Sequence, residues 1–139
     1  MRTDQPATLT ETESGAPARR LHLAVVDDDA DVRKALSRLL SSAGCAVTAF
    51  ASAEAYLTAG RDVEPDCLLL DIGLTGMSGF ELREELLRTG ATVPIVFITA
   101  QDDEETRQML LQLGSVPCLH KPFTDQSLLS AIAHVTQPG

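Results

Sequence analysis

Five times along this chain a short apolar run gives way to apolar residues at helical spacing, and that alternation limits the folds open to it. The runs are Leu21–Val26, Cys45–Phe50, Cys67–Asp71, Val93–Ile98 and Val116–His120. After the first, Val32, Ala35, Leu36, Leu39, Leu40 and Ala43 follow i, i+3, i+4, i+7, i+8, i+11, one face of a helix. Asp29 is placed to cap that helix and Gly44 to end it. Ser52 caps a short helix containing Tyr56 and Leu57. Ser78 caps another running to about Arg88, with Leu82 and Leu86 inward and Gly90 just beyond its end. Asp102 to Leu113 is a more acidic helix stopped by Gly114, and Thr124 caps a last one that buries Leu128, Leu129, Ile132 and Val135.

Connections of this length carry crossover helices, so the strands they join are parallel and the links right-handed. Four runs are nearly continuous apolar stretches, as strands covered on both faces are; the second partly alternates, as an edge strand would. The expected fold is α/β, a doubly wound five-stranded parallel sheet of order 2-1-3-4-5. Its ligand site falls at the carboxyl ends of the strands, near the switch point between strands 1 and 3. Pro117 has no N–H to give a central ladder, which agrees with the fifth strand lying at an edge.

A chain of 139 residues suffices for one ordinary core. Residues 1–20, rich in Thr, Glu, Ala and Pro with Leu9 as the one sizeable aliphatic, cannot bury enough surface to offset ordering. They are expected to be a disordered tail before a domain spanning 21–139. Eleven Lys and Arg against 20 Asp and Glu give a formal charge of −9, which opposes binding to nucleic acid or to an anionic membrane. Cys45, Cys67 and Cys118 sit in apolar runs without metal-ligand spacing and read as free thiols of a reducing compartment. No run reaches the roughly 20 apolar residues of a membrane span, nor does the N-terminus carry a signal peptide's apolar stretch, so a cytoplasmic location is expected.

The chemistry lies where the strands stop. The first runs into Asp27-Asp28-Asp29, the third ends at Asp71, the fourth reaches Thr99-Ala100 and the fifth reaches Lys121-Pro122. Singly these are turns and caps. In a parallel sheet they converge on one edge as acid, acid, hydroxyl and ammonium, a set suited to a phosphoryl group and a divalent metal.

The stretches Ala24–Asp29, Leu68–Asp71, Met77–Phe80, Val96–Ala100 and Lys121–Phe123 together resemble the receiver domain of two-component response regulators, from about Leu21 to the C-terminus. The resemblance implies a flavodoxin-like (βα)5 receiver fold with Asp71 as phosphoacceptor. It implies that Asp27 and Asp28 hold Mg²⁺ with Asp71, that Thr99 and Ala100 bind phosphoryl oxygens, and that Lys121 pairs with the phosphoryl group. Asp28 and Asp71 are the expected direct ligands, Asp27 through water, with the Gly73 backbone carbonyl completing the set. A cis Lys121-Pro122 bond is also implied. The partners implied are a sensor histidine kinase or a histidine phosphotransfer protein, docking at helix 1. A downstream protein is met through the helix 4–strand 5–helix 5 face. Since only Gln137-Pro138-Gly139 follow the last helix, a single-domain regulator that signals by protein contact is expected, not an enzyme.

The sequence departs from the family's pattern in places. Cys118 stands three positions before the lysine, where receivers commonly carry an aromatic switch residue, and Thr75 replaces a usual proline, which should loosen the loop from Gly73 to Ser78. Gly73 has no side chain to orient a hydrolytic water, whereas Gln101, two residues after Thr99, has one. Other readings fare worse. A haloacid-dehalogenase-type phosphatase needs a second aspartate at position 73 and a nucleophile on the first strand. A flavodoxin-type cofactor binder needs a hydroxyl-rich loop where Asp27–Asp29 would repel phosphate. A phosphate-sink or degenerate receiver is the bland alternative, and all the charged positions are present.

Overall fold

Each apolar run is a strand in the computed structural model, which describes residues 20–100, 102–114 and 116–137, with residues 60–63 as backbone alone. In chain order the elements are β1 (His22–Val26), α1 (Ala30–Ser42), β2 (Ala46–Phe50), α2 (Ala53–Val63), β3 (Cys67–Asp71), α3 (Gly79–Arg88), β4 (Ile95–Thr99), α4 (Glu104–Leu113), β5 (Cys118–His120) and α5 (Asp125–Thr136). The strands form one parallel sheet of order β2-β1-β3-β4-β5, doubly wound and flavodoxin-like, as the periodicity demands. The expected tail, up to Arg19, lies outside the described residues.

The helices start where their caps predict. Asp29 accepts the Asp31 and Val32 N–H groups, Ser52 accepts Ala55 N–H, and Thr124 accepts Ser127 N–H. Ser78 and Glu81 form a reciprocal capping box at the head of α3. Helix α4 begins two residues later than expected, at Glu104, because Asp103 is its cap and accepts Thr106 N–H at 2.7 Å. Past α1, Gly44 turns the chain with φ +95°, and Cys45 N–H returns to Leu40 C=O at 3.0 Å.

The sheet separates two apolar layers. One joins Leu36 and Leu40 of α1 and Leu128, Leu129 and Ile132 of α5 to Leu23, Val25, Leu69, Val96 and Ile98; Val32, Leu39 and Val135 are half-buried against it, while Ala35 faces solvent. The other joins Tyr56, Leu82 and Leu86 to Ala24, Val26, Leu68, Leu70 and Phe97. Alternate strand residues feed opposite layers, so β1 from Leu23 to Val26 and β3 from Cys67 to Leu70 are unbroken apolar runs. Cys45 and Cys67 are buried free thiols, and burial pushes the Cys67 thiol up to about 12.

Two strands begin two residues after their apolar runs do. Strand β4 begins at Ile95, since Pro94 enters the ladder only through its carbonyl, which accepts Leu68 N–H at 2.9 Å. Strand β5 has three residues, and Pro117 before it likewise contributes only a carbonyl, to Phe97 N–H at 2.9 Å. None of these is a register change. The strand ends stay level, and that positions the site.

Candidate functional site

Register brings the polar residues together. Val26 is level with Leu70, so Asp27 follows one strand as Asp71 ends its neighbour. Asp71 is level with Ile98, Thr99 closes β4, and Lys121 N–H donates to Thr99 C=O at 2.8 Å as the chain leaves β5. The Lys121-Pro122 bond is cis.

Asp27 is 1% exposed, and both of its carboxylate oxygens are engaged: Oδ1 accepts Asp29 N–H at 2.9 Å, and Oδ2 accepts Lys121 Nζ at 2.9 Å. Its backbone is held as well, by Arg33 of α1, whose guanidinium donates to Asp27 C=O at 2.8 Å. Asp71 is 6% exposed; its Oδ1 accepts Gly73 N–H at 3.2 Å, and its Oδ2 lies 3.8 Å from Lys121 Nζ. Asp28 is the exposed member of the trio. Its Oδ2 accepts both the N–H and the hydroxyl of Thr75, at 3.2 and 3.1 Å. One ligand oxygen from each of Asp27, Asp28 and Asp71 lies within 4.8 Å of the other two.

Burial raises the Asp71 carboxyl above the ordinary carboxylate range, and the Asp27 charge adds to this. Lys121 and the Gly73 N–H pull the other way without cancelling it, and Asp28 adds a smaller upward push. The Lys121 ammonium is closer to Asp27 than to Asp71. Three convergent carboxylates are hard oxygen donors, the set that Mg²⁺ takes, and they lack the nitrogen or sulfur that would favour zinc or copper. The donor set fits the ion.

The other expected positions fall into place unevenly. Thr99 is fully buried at the strand end, and Ala100 after it is exposed. Gln101 lies outside the described residues. Cys118 is half-buried against the layer containing Phe97, Leu110 and Leu113, and burial raises its thiol. Pro122 is exposed.

Three contacts around the site were not signalled by the sequence. Thr75 was expected to loosen its loop; instead its two hydrogen bonds tie that loop to Asp28. Glu54, in the first turn of α2, accepts Met77 N–H at 3.0 Å from the other side. Gly79 has no room for a side chain, since a Cβ there would lie 2.6 Å from the Asp71 carbonyl oxygen and 2.9 Å from Ile72 Cα. Gly79 also donates its N–H to Ile72 C=O at 3.1 Å, seating α3 directly on the end of β3. A glycine following a helix cap is the one hint the sequence carried.

Comparison with known proteins agrees with this geometry. The family model of the response regulator receiver domain matches residues 23–133. Nodulation protein W of Bradyrhizobium diazoefficiens is 39% identical over 113 residues, 81% of this chain and 50% of that protein. Transcriptional regulatory protein FixJ of Azorhizobium caulinodans is 38% identical over 108 residues, 78% of this chain and 51% of that protein. The chain thus spans about half the length of these curated relatives. Among solved structures, FixJ-N superposes with a TM-score of 0.76 at 32% identity, covering 85% of this chain and 94% of that one. Response regulator StyR gives 0.77 at 41% identity, covering 86% and 60%.

Proposed function

The chain belongs to the response regulator receiver domain family, and from that membership we propose that it accepts a phosphoryl group on Asp71 from a histidine kinase or a histidine phosphotransfer protein. The observation that carries this reading is the convergence of Asp27, Asp28 and Asp71 within 4.8 Å, with Lys121 reaching two of them. Asp28 and Asp71 would hold Mg²⁺ directly, Asp27 through water, and the Gly73 carbonyl would add a ligand. When bound, the ion neutralises carboxylate and phosphoryl oxygens and favours the ionised, nucleophilic Asp71.

The chain's own residues do the rest. Asp71 Oδ attacks the phosphorus, the bond to the donor nitrogen breaks, and an aspartyl phosphate forms. Lys121, only 3.8 Å from Asp71 Oδ2, turns toward a phosphoryl oxygen, and Thr99 with the Ala100 backbone binds another. Gln101 orients the water that later hydrolyses the acyl phosphate. Cys118 replaces an aromatic switch, so the response at β5 is a small repacking against Phe97 and Leu110.

Output passes by protein contact through α4, β5 and α5, with kinase docking at α1; these surfaces are assigned by family likeness. The charge of −9 supports a protein partner over nucleic acid for this domain. Among the described residues no helix is long and apolar enough to cross a membrane.

Incubation with a small phosphodonor, with and without Mg²⁺, followed by intact mass, tests the proposal. One added phosphate is expected with the ion only, and none in Asp71→Asn. A phosphate that persists in that variant overturns it.

A further inference from the structure

Asp28 is exposed, unlike Asp27 and Asp71, so packing does not fix its side chain. An unrestrained surface carboxylate must lose rotamer freedom before it can serve a metal site. Two hydrogen bonds restrain it here, both from Thr75 across 47 residues of sequence, one from the N–H and one from the hydroxyl to the same Oδ2. The loop that presents Thr75 is in turn pinned. Glu54 Oε2 accepts Met77 N–H at 3.0 Å, next to Gly76, whose φ of +80° favours glycine.

We propose that Thr75 is a positioning residue for the metal site, holding Asp28 beside Asp27 and Asp71, and that Glu54 is the post against which its loop is braced. Ligating carboxylates depend on such outer partners, whose loss typically lowers metal affinity by about 10- to 100-fold. A proline at position 75 could supply neither N–H nor hydroxyl, so this device belongs to this chain's own loop. The inference rests on the Mg²⁺ site assigned above.

Calorimetric titration of Mg²⁺ into the full chain, stripped with chelator, tests it. Thr75→Val keeps the N–H and the branched shape but removes the hydroxyl, and should weaken binding about 3- to 10-fold, a partial version of the loss above. Thr75→Ser restores the donor and should bind within about twofold of the original. Glu54→Ala should weaken binding, whereas Glu54→Gln, which keeps an acceptor for Met77 N–H, should not. A Thr75→Val variant that binds Mg²⁺ as tightly as the original, or tighter, overturns the proposal, as does a Thr75→Ser variant no better than valine. Melting in chelator checks that each variant is folded. The phosphodonor assay on the unaltered chain separates the two claims. If Asp71 gains phosphate only with Mg²⁺ while Thr75→Val leaves affinity unchanged, the receiver reading stands and the role given to Thr75 falls.

Discussion

The two ends of the polar row are built differently. Its acids rise from β1 and β3, of whose ten residues all but His22 are buried, and which both apolar layers cover. Its lysine follows β5, three residues long with none fully buried, beside α4, in which only Thr106 is buried and Leu111 is 74% exposed. The carboxylates therefore stand on a stiff floor and the ammonium on a thin margin. Such a division suits a site that must keep one part of its geometry fixed while another responds to what is bound.

The contrast is most easily broken by truncating side chains on each side. Leu69→Ala, in the fully buried run of β3, should cost about 3 kcal/mol in urea unfolding, while Leu111→Ala on α4 should stay within about 0.5 kcal/mol. Equal losses would mean the two sides are equally firm.

Next in size is Lys121→Met. It leaves the buried Asp27 carboxylate without its ammonium and, because Lys121 itself is partly exposed, should cost about 2 kcal/mol, less than a fully buried pair. Adding Asp27→Asn should recover most of that loss; a double variant as unstable as the sum of the two single ones would show that the pair is not coupled.

The smallest effect has the opposite sign. Burial and the Asp27 charge raise the Asp71 carboxyl, so ionising it opposes folding in metal-free solution. Asp71→Asn should therefore melt higher than the original in chelator at neutral pH, by on the order of 1 kcal/mol. The unfolded chain ionises at the lower, ordinary carboxylate pH and the folded chain only above it. The advantage is thus absent below the ordinary value, grows as pH rises through the raised one, and is then constant. Saturating Mg²⁺ should reverse the order, because it stabilises only the form that binds it. An advantage for asparagine that grows toward acid pH would contradict the assigned burial of charge.

Much of this was legible in the sequence because strand and helix periods are repetitive signals. The stripe from Val32 to Ala43 and the run Cys67–Asp71 each state their structure several times over, and parallel pairing then forces Asp27, Asp71, Thr99 and Lys121 to one edge. The part that was not legible depends on single contacts between loops. Thr75 meets Asp28 across 47 positions and Glu54 meets Met77 across 23, with no period to announce either. The length of β5 differs for a similar reason, since apolar character begins at Val116 while residue-by-residue pairing with β4 begins only at Cys118.

The seat of α3 on the end of β3 has one more consequence. With Gly79 packed so tightly that even a methyl group would strike the Asp71 carbonyl, the backbone behind that aspartate has no slack. A bulky anion arriving on its side chain cannot be absorbed by recoil in that direction. The disturbance would instead pass sideways, where Lys121, just beyond the thinly covered β5, lies 3.8 Å from Asp71 Oδ2.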